Sequence, residues 1–177
     1  MEYTWSSCND LSSLEELLLL IEPDTIERTA IQRCLKETNI YNAYIAKSPT
    51  GEIDALCIST FLQKTQTLHV EDFALHPRIR GKHLAQSLWD AWWHHLEKEK
   101  VIREEQPMTI EVYPKNVIPW TKIMKVHVLF ESALLWTRES IVWMGKNLPE
   151  GMEASIVQEW RNLQEKEQLR QRGLLAS

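Results

Sequence analysis

The run from Thr67 to Leu96, TLHVEDFALHPRIRGKHLAQSLWDAWWHHL, constrains the fold of this chain more than any other stretch. It reads as a strand, a short basic turn and a helix. Leu68, Val70, Phe73 and Leu75 make the first part apolar, and Pro77 ends it because proline cannot donate to a sheet ladder. Arg78, Arg80, Gly81 and Lys82 follow. They stand directly ahead of a helix that carries Leu84, Leu88 and Trp92 at i, i+4 and i+8. The first N–H groups of a helix have no intrahelical partner, and its dipole adds partial positive charge there. A glycine and several cations beside such an end make an anion site, with a phosphate group as the expected guest.

The flanking sequence supplies a sheet for this unit to join. Met1–Ser6 reads as a first strand. Ser12 or Ser13 can cap a helix running to Glu22, and Asp24 can cap a second to about Glu37. Ile40–Lys47 and Glu52–Leu62 read as two strands around the turn Ser48-Pro49-Thr50-Gly51. Beyond the central helix, Glu99–Glu105 is a charged, solvated connector, and Met108–Tyr113 is a short strand between Pro107 and Pro114. A helix starting near Pro119 is expected within Asn116–Val128. Phe130–Trp136 and Ser140–Lys146 then form an antiparallel pair joined at Thr137-Arg138-Glu139. The order is mixed α/β.

Residues 150–172 form a polar helical appendage. Met152, Ile156, Trp160 and Leu163 fall on one face of it, which either docks on the chain's own domain or meets a second copy or a partner protein, so a homodimer is a possible state. The expected division is a domain of residues 1–147 and a helical extension of residues 148–177. At 177 residues the chain has room for one domain plus such an appendage.

Composition narrows the function classes. A net charge of −5 speaks against a general nucleic-acid binder and leans toward cationic partners. The eight tryptophans are expected as core and interface rings. Cys8, Cys34 and Cys57 show no metal spacing, which fits reduced thiols in a cytoplasmic protein. No signal peptide is visible, and the apolar run Leu14–Ile21 is too short to span a bilayer, so no membrane role is expected. His94 and His95 are neighbours on a helix and diverge by about 100°, so no metal is expected.

The segment Val70–Pro77 followed by Arg80-Gly81-Lys82-His83-Leu84-Ala85 resembles the acetyl-CoA signature of the GNAT superfamily of N-acetyltransferases, a strand and then Arg/Gln-x-x-Gly-x-Gly/Ala opening a helix. Arg80 matches its first position and Ala85 its last, while His83 stands where the middle glycine is usual. The resemblance covers residues 1–147 in layout and 70–86 in motif. It implies a central, mixed, mostly antiparallel sheet that is splayed and flanked by helices. In such a fold the backbone of Phe73, Ala74 and Leu75 would pair with the pantetheine arm. The backbone N–H groups of Gly81, Lys82, His83, Leu84, Ala85 and Gln86 would hold the pyrophosphate, with charge from Arg80 and Lys82. Asn116 matches an asparagine that contacts the cofactor.

Acetyl transfer to an amine needs a base for the amine, stabilisation of the thioester oxygen and a proton for the leaving thiolate. Alternation along the strand puts His69 and Glu71 on one face, at positions where some family members carry the general base. Glu111, on the neighbouring strand, resembles the glutamate base of the protein-N-terminal acetyltransferases. The usual acid, a tyrosine, is replaced by Ile123. Tyr113, His127 or solvent are the remaining proton sources. The Gly-Phe pair of the family stands as Leu129-Phe130, two residues late. The reading is an N-acetyltransferase working by direct transfer from acetyl-CoA to a small-molecule, peptide or protein amine. Two alternatives stay open: a non-catalytic module of the same fold that binds CoA or a protein partner, and an unrelated α/β domain holding another phosphorylated ligand at Arg78–Lys82.

Overall fold

The computed structural model describes residues 2–8, 10, 14–21, 25–36, 40–125, 127–133, 140–171 and 173. The chain runs β1 (Thr4–Ser7), α1 (Glu15–Ile21), α2 (Thr25–Lys36), β2 (Asn42–Lys47), β3 (Ile53–Leu62), β4 (Thr67–Leu75), α3 (Ala85–Lys98), β5 (Met108–Val112), α4 (Val117–Met124), β6 (His127–Ala133), β7 (Ser140–Lys146) and α5 (Glu153–Gln171). The expected caps Ser12, Ser13 and Asp24 and the connection Thr137–Glu139 lie outside the described residues. The strand expected at Phe130–Trp136 begins earlier, at His127. Pro119 sits in the first turn of α4, where its missing N–H costs nothing.

The strands form one sheet in the order β1-β2-β3-β4-β5-β7-β6, antiparallel throughout except for β4 and β5. Those two are parallel, and α3 supplies the crossover connection that a parallel pair needs. Their pairing covers only Leu68–Met108, His69–Thr109 and Val70–Ile110. Beyond Val70, β4 continues to Leu75 paired only with β3, so the sheet splays open in its middle.

Side-chain alternation gives each face its own core. On one face, α3 packs Leu88, Trp89, Trp92 and Leu96 onto Leu68, Val70, Ile110 and Met144, with Trp5 and Tyr44 alongside. On the other, α1 and α2, with Leu14 just ahead of them, lay Leu18, Ile31 and Leu35 over Ile45, Leu56 and Ile58. Farther along that second face, α5 sets Ile156, Val157 and Trp160 on Leu62, Ile141 and Trp143. The stripe Met152, Ile156, Trp160 and Leu163 therefore meets its own sheet. Glu159 clamps the helix down, its carboxylate accepting from the backbone N–H groups of Lys64 (2.7 Å) and Thr65 (3.1 Å) in the β3–β4 turn. The tryptophans Trp5, Trp89, Trp92, Trp143 and Trp160 are all buried rings of these cores.

One irregularity matters for everything that follows. Ile58 pairs with Asp72 and Ser59 with Val70, which leaves Glu71 as an extra residue in β4. This bulge keeps Glu71 on the face of His69 but resets the alternation. Phe73 consequently lands on the α3 face, edge-on to Trp89 (5.3 Å between ring centroids) and to Trp120 of α4 (5.6 Å).

Candidate active site

Where β4 and β5 begin to part, three of the chain's ionisable side chains converge on the α5 face. His69 is fully buried. Its Nδ1 lies 2.7 Å from Thr109 Oγ1 and its Nε2 3.2 Å from Glu111 Oε1, while Glu71 Oε1 is 3.7 Å from the same Nε2. The parallel register explains the meeting: His69 stands beside Thr109, and Glu111 is two residues on, on the same face. Trp143 of β7 stacks on the imidazole at 4.9 Å, and Trp160 of α5 tilts over it at 5.5 Å. Trp160 Nε1 donates to Glu71 Oε1 at 2.9 Å.

The electrostatics follow from burial. Desolvation lowers the pKa of His69, favouring the neutral imidazole, with the negative charge of Glu71 opposing this. Desolvation raises Glu71, against the pull of His69. It raises Glu111 to about 8, opposed by the charge of Arg161. Two carboxyls whose pKa values burial raises toward neutrality, beside an imidazole that burial keeps in its neutral form, are equipped to move protons. The same donor set has the composition of a cation site, with one ligand atom from each residue all within 4.8 Å of one another. The sequence offered only His94 and His95 as metal candidates; the cluster that could take a cation is this one.

The basic turn is built differently from its sequence reading. Arg78 does not face an incoming anion. Its guanidinium is spent on Asp54, Glu52 and the Ile53 carbonyl, and Asp54 also accepts from Tyr3 Oη. Asp54 is almost completely buried, so a cation has to answer it. Arg80 Nε donates to the Leu75 carbonyl at 2.9 Å, across the turn rather than outward. Lys82 stays exposed. Gly81 has φ +72 and His83 φ +58, so both occupy left-handed backbone. His83 thus keeps the conformation that a glycine would supply, with its side chain in solvent. Leu84 precedes α3 without any side-chain cap, and Ala85 and Gln86 open the helix. Among the described residues, no side-chain cap bond is made at the Leu84 N-cap. The Gln86 side chain donates to the Ile123 carbonyl at 2.8 Å and ties α3 to α4.

Phe73, Ala74 and Leu75 run along the opened edge of β4, with partners only on the β3 side. Asn116 closes the turn after β5 and precedes α4. Tyr113 is on the Glu111 face and packs with Trp143 and Ile156. The side chains of His127, Leu129 and Phe130 lie outside the described residues. Thr109 was legible from its two-residue offset to Glu111. Trp160 was legible as part of an apolar stripe but not as a donor to Glu71.

A sheet of this order, splayed beyond a parallel β4–β5 pairing, with a glycine turn and a helix start at the open end, has counterparts among solved structures. The ribosomal-protein-S18-alanine N-acetyltransferase from Escherichia coli superposes with a TM-score of 0.61 at 16% identity, over 86% of this chain and 98% of that one. A point mutant of the SpeG spermidine N-acetyltransferase from Vibrio cholerae gives 0.58 at 8% identity, over 81% and 92%. The chain has the GNAT fold. No protein-family model and no curated protein matches the sequence, so the GNAT likeness rests on the architecture. Among the described residues, no helix is long and apolar enough to cross a membrane.

Proposed function

We propose that this GNAT-fold protein is an N-acetyltransferase that moves an acetyl group from acetyl-CoA to a primary amine within a ternary complex. The observation that carries this reading is the His69–Glu71–Glu111 cluster lying at the point where β4 and β5 part. An extended thioester arm is suited to the opened edge of β4, taking the backbone partners that β5 no longer provides at Phe73–Leu75. Its pyrophosphate would meet the uncapped start of α3 at Gly81–Gln86, with Lys82 free to add charge and Asn116 flanking. The acceptor must be a neutral amine when it attacks, so the cluster takes the proton of the bound ammonium first. The sulfur's proton would come from within reach of Glu111 or Tyr113, or from solvent. Residues 1–147 would carry the cofactor and the cluster, and the extension of residues 148–177 would cover that cluster with Trp160. The acceptor is a small-molecule or protein amine.

Thiol release from acetyl-CoA, measured against a panel of polyamines, amino-terminal peptides and aromatic amines, tests the reading. Turnover with any of them that falls at least tenfold in both Glu71→Gln and Glu111→Gln supports it. Turnover indifferent to both substitutions refutes the proposed cluster. The second reading, a non-catalytic module that binds CoA or a protein partner, is favoured by one observation: Ile123, in α4, stands where a tyrosine would supply the leaving sulfur's proton. Tight CoA binding without turnover on any amine would select it.

A further inference from the structure

Helix α5 does more than cover the sheet. Most of its buried face is apolar, yet Trp160, Gln164 and Glu167 bring polar atoms inward as well. Gln164 Nε2 donates to Tyr41 Oη, and the Trp160 indole N–H ends on Glu71. A ring of this size could have satisfied packing alone, as a phenylalanine would. Here its one polar atom is aimed at one oxygen of a nearly buried carboxyl. The neighbouring carboxyl is treated differently. Among the described residues, the hydrogen bond of Glu111 is to His69, and what α5 sends toward it is the charge of Arg161 rather than a hydrogen bond.

We propose that Trp160 is a positioning residue: its indole N–H holds the Glu71 carboxylate against His69 and so selects Glu71, rather than Glu111, as the group that takes the acceptor amine's proton. This rests on the acetyl-transfer reading of the cluster. A hydrogen bond donated to a carboxylate favours its ionised form, so the two glutamates part company although both are desolvated. Glu71 is the more readily ionised of the two and so the one open to a proton, while Glu111, pushed up to about 8 by burial against the charge of Arg161, keeps its proton available. The ammonium's N–H bond breaks toward the Glu71 oxygen, which becomes a carboxylic acid, and the electron pair stays on nitrogen for attack. That proton then leaves to solvent, restoring the carboxylate. The groups facing Glu71 are His69 and Asp72 on its own strand, Glu111 from β5, Cys34 from α2 and Tyr41 ahead of β2. Burial keeps the Cys34 thiol and the Tyr41 phenol protonated, so neither supplies the charge that Trp160 offsets.

The test is a ¹³C-carboxyl NMR titration of glutamate-labelled protein, with Glu71 assigned by its loss in Glu71→Gln, in the wild type and in Trp160→Phe. Losing one charge-assisted hydrogen bond should move the Glu71 midpoint up by about one to two pH units. The acid limb of kcat/KM should move the same way, while Glu111 shifts much less. In the wild type, the Trp160 indole proton should itself titrate with the Glu71 midpoint, which needs no substitution. Unchanged Glu71 midpoints, or an indole proton blind to that titration, would overturn the assignment. Displaced midpoints in a protein that never turns over acetyl-CoA would leave the Trp160–Glu71 coupling standing and sink the transfer reading instead.

Discussion

Glu111→Gln should change how stability depends on pH, and the structure gives both sign and size. Glu111 is only 11% exposed and titrates near 8 rather than at its ordinary 4.5. Between those values the folded state keeps a proton that the unfolded state has released. Stability is therefore full below about 4.5 and declines as pH rises toward 8, by 1.36 kcal/mol per pH unit at most. Across the whole window this comes to about 5 kcal/mol, an upper bound. Glutamine keeps the shape and can still bond His69, but it never ionises. Urea unfolding of wild type and variant from pH 5 to 9 should give curves that diverge steadily, with the variant several kcal/mol more stable at pH 9 relative to pH 5. The raised Glu71 adds a decline of the same sign to both proteins, so the difference between them is the readout. His69 works in the opposite direction: its lowered pKa withdraws stability as pH falls below its ordinary 6.5, so the wild type should be most stable in mildly acidic buffer. Parallel curves for the two proteins would refute the claim that Glu111 is held neutral by burial.

Three further outcomes are expected. His83→Gly removes a left-handed conformation that costs about 1–2 kcal/mol in an L-residue and gives back about 0.5–1 kcal/mol of chain entropy. Urea unfolding should thus show unchanged or slightly higher stability, and calorimetry equal or tighter acetyl-CoA binding; a clear loss of both would mean that the His83 side chain has a role of its own. Gly81→Val forces a branched side chain into φ +72, and should weaken acetyl-CoA binding by tenfold or more in calorimetry, with unchanged affinity refuting the phosphate turn. Chelation by EDTA should leave turnover intact, whereas zinc should inhibit by capturing His69 and both glutamates, whose Nε2–Oε1 separations of 3.2 and 3.7 Å are close to the ~3.3 Å edge of a tetrahedral zinc site; turnover abolished by EDTA and restored by metal would make the cluster a metal centre.

The sequence made the strand–turn–helix unit legible because local signals carry it: Pro77 stops a strand, Gly81 opens a turn, and Leu84, Leu88 and Trp92 share a helix face. It made His69 and Glu71 neighbours through strand alternation, and it nominated Glu111 separately. Their convergence needed the parallel register of β4 on β5, which pairs residues 40 apart in sequence and leaves no local mark. The bulge at Glu71 was equally silent, and it moved Phe73 to the other face. Arg78 misled for a similar reason. Beside Gly81 it looks like an anion ligand, but a buried Asp54 from another strand claims it. The polar errand of Trp160 was hidden inside a stripe that hydrophobic spacing fully explained.

Titration calorimetry of the purified protein with acetyl-CoA, with 3′-dephospho and pantetheine-free nucleotides as controls, tests the central claim most directly. The account requires binding that depends on the pantetheine arm, because the opened edge at Phe73–Leu75 is what the arm would occupy. Binding of the bare nucleotides with equal affinity, or no binding of acetyl-CoA at all, would contradict it.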